Sequence, residues 1–178
     1  MSSHHRRVRR CPVFLGCEGE SEQAYCQLLA DMLCLQAINV HLEVVLIGEG
    51  AGDPLAKIRK AIKKVDGYET KRSVFWKKAV LIDSDIAETG NGQAAAEKLA
   101  EQHGIMIIWQ TPCHEAFLLR HLPDCKTHRP PTSSLARSAL EAKWPAYKKP
   151  MNRRELSQWI NKERINQAIS VETGAKLS

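Results

Sequence analysis

The chain has 178 residues, of which 43% are hydrophobic, and it carries a formal net charge of +6. This length and hydrophobic content suit one globular domain with a buried core and exclude a disordered chain. No apolar run approaches the roughly 20 residues that span a bilayer, and the charged N-terminus lacks the apolar segment of a secretory signal. We therefore expect a cytoplasmic protein without membrane contact, whose six cysteines are reduced.

The charges are distributed unevenly along the chain. Residues 11–56 contain seven acidic residues and no Lys or Arg, whereas residues 57–78 contain nine Lys or Arg residues. Residues 1–10 include a further basic run, which predicts a flexible basic tail. An acidic centre with basic surroundings suits a metal site that faces a polyanion, although a solvated helix face gives the same Lys-rich pattern.

Apolar runs and helical periodicity alternate along the rest of the chain. This alternation predicts an α/β fold with a mostly parallel central sheet and helices on both faces. We assign residues 11–125 to the α/β domain and residues 126–178 to a helical C-terminal extension. The predicted strands are Val13–Cys17, Asn39–Ile47, Ala79–Ile82 and Ile105–Trp109. The predicted helices are Glu22–Leu35, Asp53–Val65, Gln93–Gln102, Glu115–His121, Ser133–Ala142 and Asn152–Ile169.

Two carboxylates follow the third predicted strand, at the point where it leaves the sheet. Asp83 and Asp85 are one residue apart, so they converge only if the chain turns after Asp83. Ligands of open α/β sheets bind outside the carboxyl ends of the strands. A turned acidic pair at this position predicts a site for Mg²⁺ or Mn²⁺, although Asp and Ser are also ordinary residues of a solvated turn.

A second acidic cluster follows the first predicted strand. Glu18 stands at the end of that strand, and Glu22 lies four residues later, where one helical turn lets it lean back toward Glu18. Gly19 would allow a tight turn, Ser21 would cap the helix, and Glu20 would point outward.

The two acidic clusters meet if the first and third strands are neighbours in the sheet. Glu18, Glu22, Asp83 and Asp85 would then repel one another strongly unless cations neutralise them. This argument predicts one or two Mg²⁺ or Mn²⁺ ions. Two such ions would activate a water molecule and stabilise the leaving oxygen of a phosphodiester.

Four segments follow one another along the chain, namely Cys17–Glu22, Asp83–Asp85, Thr111–His121 and Tyr147–Lys149. Taken together and in this order, they resemble the Toprim domain of the RloB-like family. This family, also described as AbiL-type abortive infection proteins, is related to the nuclease domain of the OLD family. Thr111 and His114 depart from the family pattern, which more often has Asn and an aromatic residue there.

The resemblance implies a Toprim-like fold and metal-dependent cleavage of DNA or RNA, with roles for particular residues. Glu115 would be a ligand or the acid/base, and Lys148 or Lys149 would stabilise charge on the phosphate. The implied metal ligands are Glu18, Glu22, Asp83 and Asp85. The implied catalytic residues are Glu18, Asp83, Glu115 and Lys148.

The resemblance also implies a role in phage defence. RloB-like proteins are typically encoded beside an OLD-like ATPase of the AAA type, so such an ATPase is the expected partner, together with nucleic acid and possible self-association. An alternative is a catalytically inactive Toprim-like module that docks on the ATPase as a sensor or regulator.

Two further alternatives arise from the residues. A haloacid dehalogenase-type phosphatase would use Asp83 as its nucleophile. However, two strands precede Asp83, and Ala87 stands where that class has Thr or Val. A zinc site is the second alternative, but its spacing matches no standard finger. Its four ligands would be Cys113, His121, Cys125 and His128.

Overall fold

The computed structural model describes residues 10–48, 53–85 and 92–172, except for the side chains of residues 169–172. The predicted tail before Arg10 and the loop residues 49–52 and 86–91 lie outside this description. The strands are β1 (Cys11–Cys17), β2 (Val40–Leu46), β3 (Lys77–Asp83) and β4 (Ile105–Gln110). The helices are α1 (Glu20–Leu35), α2 (Pro54–Glu69), α3 (Gly92–Gln102), α4 (His114–Leu119), α5 (Ser133–Lys143), α6 (Arg153–Ser157) and α7 (Lys162–Glu172).

The four strands form one parallel sheet in the order β2-β1-β3-β4. The sheet confirms the predicted α/β architecture, and its arrangement is consistent with a Toprim-like fold. Strands β1 and β3 are direct neighbours, with Cys17 paired to Leu81. The residue after β1 and the last residue of β3 therefore lie at the same edge, which brings Glu18 beside Asp83.

The sheet is covered by helices on both faces. Along β3, Val80 and Ile82 point into a cluster with Ile58 of α2 and Ala96 of α3, whereas Leu81 points to the opposite cluster. This alternation follows from the period of two along a strand, and burial on both faces explains why the strand is continuously apolar.

The helices after β4 close the second face together with α1. Leu118 of α4, Leu140 of α5, Leu156 of α6 and Ile165 of α7 lie in one hydrophobic cluster with Leu28 of α1. None of the helices in the described part of the chain is long and apolar enough to cross a membrane.

Helix α1 begins two residues earlier than predicted, and its cap differs. The N-cap residue is Gly19 rather than Ser21, which lies inside the helix and is buried. Gly19 has an extended backbone with φ of −130°, which any residue adopts, so the predicted need for a tight glycine turn is wrong. A Cβ atom at Gly19 would lie 2.9 Å from Glu22 Oε2, so the glycine makes room for that carboxylate.

The predicted helix Asn152–Ile169 is two helices, α6 and α7. Trp159 stacks at 5.1 Å between ring centroids on Trp144, and Ile160 is fully buried, so this stretch is fixed by core packing. The Asn161 side chain then accepts a hydrogen bond of 3.0 Å from the Arg164 N–H and starts the next helix. Asparagine favours such a cap over a helix interior, which explains the break.

Candidate functional site

Asp83 and Asp85 line one small cavity at the carboxyl edge of the sheet. The chain bends at Ser84, as the predicted convergence of the two carboxylates requires, while the Asp85 N–H donates to the Pro112 carbonyl at 3.0 Å. The cavity measures about 370 Å³. Its other lining residues come from the start of α4, from α5 and from the segment after α5, namely Cys113, Glu115, Ser133, Ser134, Arg137 and Lys149.

The carboxylates of Asp83 and Asp85 have unused acceptor atoms. Oδ1 of each is buried and has no hydrogen-bond partner among the residues that the structure describes. The other Asp85 oxygen accepts a short hydrogen bond from the Ser133 hydroxyl. Because a buried carboxylate oxygen without a donor or cation is costly, these two atoms favour a bound cation.

Asp83 is the most strongly perturbed acid of the site. Burial, followed by the negative charges of Glu22, Glu18, Asp85 and Glu115, raises the pKa of Asp83 from 3.8 to about 8. Without a cation, Asp83 therefore holds a proton at neutral pH. A divalent cation would replace that proton, since the neighbouring negative charges that contribute to the raised pKa also attract a cation.

Glu115, in the first turn of α4, is paired with a cation from the segment after α5. Lys149 Nζ lies 2.8 Å from Glu115 Oε1, and the Tyr147 hydroxyl donates to the same oxygen at 3.3 Å. Burial acts to raise the pKa of Glu115, but the hydrogen bond and charge of Lys149 outweigh it and hold that pKa below its ordinary value. Glu115 is therefore ionised beside an ammonium group that also lines the cavity.

Glu18 lies on the other side of Asp83 and has its own lysine. Lys57 Nζ, from α2, lies 2.6 Å from Glu18 Oε1. The Asp83 N–H donates to the second oxygen, Glu18 Oε2, at 3.5 Å. The sheet edge thus brings Glu18 to Asp83, as the strand order predicts, but both oxygens of Glu18 already face protein donors.

Glu22 is buried and folds back over the start of α1. Its Oε2 atom accepts a hydrogen bond of 3.1 Å from the Gly19 N–H, and its charge contributes to the raised pKa of Asp83. Glu20, in contrast, is exposed, as predicted. The structure therefore places Glu22 near the acidic centre with one oxygen engaged in capping.

Lys148 and Lys149 have different environments. Lys148 Nζ lies 2.7 Å from Glu155 Oε1 on α6, and its side chain is 66% exposed. Lys148 lines a separate groove between α1 and α6, whereas Lys149 lines the cavity with Asp83. Of the two lysines that the sequence offers, the structure brings Lys149 to the site and places Lys148 outside it.

Buried polar side chains connect α1, the end of β4 and α4. The Tyr25 hydroxyl lies 2.9 Å from His121 Nε2, and His121 Nδ1 donates to the Phe117 carbonyl at 3.0 Å. Burial lowers the pKa of His121 to about 4, so the ring is neutral and accepts from Tyr25. His114 is fully buried beside Gln110, with 2.7 Å between Nδ1 and the amide nitrogen.

Whether these residues fit a metal ion depends on how many protein ligands the ion requires. Within residues 10–48, 53–85 and 92–172, no three His, Cys, Asp or Glu side chains form a complete set of ligands, either at the sheet edge or at the four positions of the zinc alternative. Mg²⁺ needs no such set, because it usually binds one or two carboxylates and fills its remaining positions with water and phosphate oxygens. The unpartnered Asp83 and Asp85 oxygens fit that mode of binding.

Sequence reasoning missed Lys57 and Ser133. Lys57 follows Pro54 and precedes Ile58 and Ala61 on the buried side of α2. A lysine within an apolar stripe is a usable signal, because a buried ammonium requires a partner. Ser133 carries no such signal, since it lies 48 residues from Asp85 at the start of an otherwise ordinary helix.

The chain was compared with known proteins. Neither a search of curated proteins nor a search of solved structures gave a match. The model of a family described as RloB-like protein matches residues 13–176, which is most of the chain. The match includes all the positions to which the sequence assigns a role at the sheet edge. The chain therefore belongs to the RloB-like protein family.

Proposed function

We propose that this protein is a Mg²⁺- or Mn²⁺-dependent nuclease that hydrolyses phosphodiester bonds of DNA or RNA. One observation carries the proposal: Asp83 and Asp85 each have a buried carboxylate oxygen without a hydrogen-bond partner among the described residues, and both line a cavity that Lys149 also lines. A pair of acids that binds a cation, next to the positive charge of Lys149, suits a substrate whose phosphate group contacts both the cation and the lysine.

Asp83 and Asp85 would hold the divalent ion. When bound, that ion would polarise a phosphate oxygen and lower the pKa of a coordinated water molecule. Ser133 fixes the orientation of Asp85 by donating to its second oxygen. A ligand whose second oxygen is hydrogen-bonded keeps one geometry, which strengthens metal binding.

Lys149 and Glu115 would act on the phosphate side of the cavity. Lys149 is 43% exposed, so its ammonium group can exchange the Glu115 carboxylate for a phosphate oxygen. The positive charge would then stabilise the negative charge that develops on the phosphate in the transition state. Once Glu115 is separated from Lys149, its carboxylate would be available as a ligand of the divalent ion or as the general acid or base.

We further propose that the protein acts in phage defence together with an OLD-like ATPase of the AAA type. The order of the four motifs that resemble the RloB-like family supports this part of the proposal. The basic residues within 59–78, most of which are exposed, are consistent with a polyanionic substrate.

The proposal is tested by a cleavage assay on supercoiled plasmid and on structured RNA with Mg²⁺ or Mn²⁺. Asp83→Asn keeps the shape of the side chain but removes its charge, so we expect more than about 100-fold loss of cleavage, beyond the effect of a residue that only supports a ligand. Asp66→Asn is the matched control, because Asp66 is exposed on α2. This variant should cleave the substrate like wild type.

The assay is repeated with the ATPase partner if the chain alone is inert. Inertness in both settings would reject the nuclease and favour the docking module. Cleavage by Asp83→Asn at the wild-type rate would reject the site. An EDTA control, in which chelation abolishes wild-type cleavage, establishes that the activity depends on a divalent ion.

A further inference from the structure

Lys57 is an unusual residue for the interior of this protein. Its side chain is 2% exposed and projects from α2, whose buried positions are otherwise apolar. Lysine is among the residues least often buried, because removing its ammonium group from water costs several kcal/mol unless a partner compensates. Glu18 is that partner, as an ion pair with 2.6 Å between Lys57 Nζ and Glu18 Oε1 that lacks hydrogen-bond geometry.

Each oxygen of Glu18 has a nitrogen atom of the protein within 3.5 Å. Oε1 faces the ammonium group of Lys57, and Oε2 accepts the Asp83 N–H at 3.5 Å. Asp83 and Asp85 differ from Glu18, because each has a buried oxygen that lacks a partner within the described ranges. Of these three carboxylates, that of Glu18 is already neutralised, and those of Asp83 and Asp85 are open to a cation.

Lys57 cannot easily move away from Glu18. Its backbone lies on the side of α2 that is packed against the sheet, next to the fully buried Ile58. Withdrawal of the ammonium group would leave a charge without a partner in an apolar layer, which the low dielectric makes costly. The positive charge at Glu18 is thus a permanent part of the fold.

We propose that the Lys57 ammonium occupies the place beside Glu18 that a second divalent cation would need, so that the site binds a single ion, through Asp83 and Asp85. This inference rests on the proposed metal-dependent function. It changes the expected role of Glu18 from a metal ligand to a positioning residue. Glu18 accepts a hydrogen bond from the Asp83 N–H and so keeps the end of β3 in place.

The number of bound ions tests this inference directly. We would titrate the full chain with Mn²⁺ and count free Mn²⁺ by electron paramagnetic resonance. Wild type should bind one ion, and Lys57→Met should bind a second, weaker ion because its Glu18 carboxylate is free. Lys64→Met removes an exposed lysine of the same helix and should bind one ion like wild type.

A double variant separates this inference from loss of folding. Lys57→Met/Glu18→Gln replaces the ion pair by neutral groups of similar size, so it should fold even if Lys57→Met does not. We expect it to bind one ion with the wild-type affinity, because Glu18 is not a ligand. A tenfold or greater loss of affinity in the double variant would show that Glu18 does ligate the ion and would overturn the inference.

The remaining outcomes distinguish this inference from the proposed function. Two ions in wild type, or one ion in a folded Lys57→Met variant, would overturn the inference while leaving the metal site intact. Binding by Lys57→Met but not by wild type would overturn the inference, because wild type would then bind no ion through Asp83 and Asp85. No binding by any variant would overturn both.

Discussion

Two lysine–carboxylate pairs flank Asp83, and they differ in which partner is buried. The Lys57–Glu18 and Lys149–Glu115 pairs have similar distances of 2.6 and 2.8 Å. Lys57 is 2% exposed, whereas Lys149 is 43% exposed. A buried lysine is a fixed counterion, while a half-exposed lysine on a segment between helices can exchange its partner for an incoming anion. The first pair therefore belongs to the fold, and the second belongs to the proposed reaction.

The largest expected effect of this difference is on stability. Removing one partner of a buried ion pair typically costs roughly 3–5 kcal/mol, so we expect Lys57→Met to lower the free energy of unfolding by about 3 kcal/mol, since Glu18 keeps some contact with water. Glu115→Gln, which leaves only the half-exposed Lys149 without its partner, should cost less than about 1 kcal/mol, as exposed pairs do. Urea denaturation of both variants in EDTA measures the two losses in the free energy of unfolding. Equal losses would remove the distinction between the two pairs.

The second effect is on cleavage by variants of the two adjacent lysines. Lys149→Met should lower the cleavage rate by about 100-fold, because a positive charge aimed at the transition state is lost. Lys148→Met is the matched control, since Lys148 pairs with Glu155 outside the cavity, and its rate should stay near wild type. Single-turnover cleavage at saturating Mn²⁺ measures both rates. A larger effect of Lys148→Met would reassign the active lysine.

The third effect is on the pH dependence of stability without metal. The folded protein keeps a proton on Asp83 up to about pH 8, whereas the unfolded chain loses it near 3.8. The unfolded state therefore binds fewer protons in this window, and the contribution of Asp83 to the free energy of unfolding falls as the pH rises, by at most about 1.4 kcal/mol per pH unit.

Asp83→Asn provides the reference for that measurement. Its stability should lack this slope, so the difference between wild type and variant should move in favour of the variant from pH 6 to pH 8. The ionised Glu115 does not disturb this comparison, because its pKa is lowered and it titrates in more acidic solution. Thermal melts in EDTA at several pH values measure the difference, and parallel curves would contradict the raised pKa of Asp83.

The smallest expected effect concerns the support of Asp85. Ser133→Ala removes the hydroxyl that donates to Asp85 Oδ2, and residues that orient a ligand typically contribute 10- to 100-fold in metal affinity. We expect about a tenfold loss of Mn²⁺ affinity, while Ser134→Ala at the adjacent position retains the wild-type value. Equal Mn²⁺ affinities of the two variants would show that Ser133 does not support Asp85 as a metal ligand.

The sequence predicts the framework of the site better than its chemistry. Four apolar runs that alternate with helices are enough to predict a parallel sheet, and the position of Asp83 at the end of a run places it at the edge. The neutralisation of Glu18 is not predictable in the same way, because it depends on how α2 is rotated against the sheet. The choice between Lys148 and Lys149 depends on the path of the chain after α5, which sequence periodicity does not specify.

The order in which the cavity is assembled during synthesis follows from its composition. Asp83 and Asp85 lie at the end of the third strand, but Ser133, Arg137 and Lys149 come from residues that leave the ribosome later. Because chains fold from the N-terminus onward as they emerge, the sheet can form before the wall of the cavity exists. A nascent chain would then carry its acidic edge without the groups that orient the ligand and the phosphate. Under the proposed nuclease function, this order would delay activity until translation of the helices that line the cavity is complete.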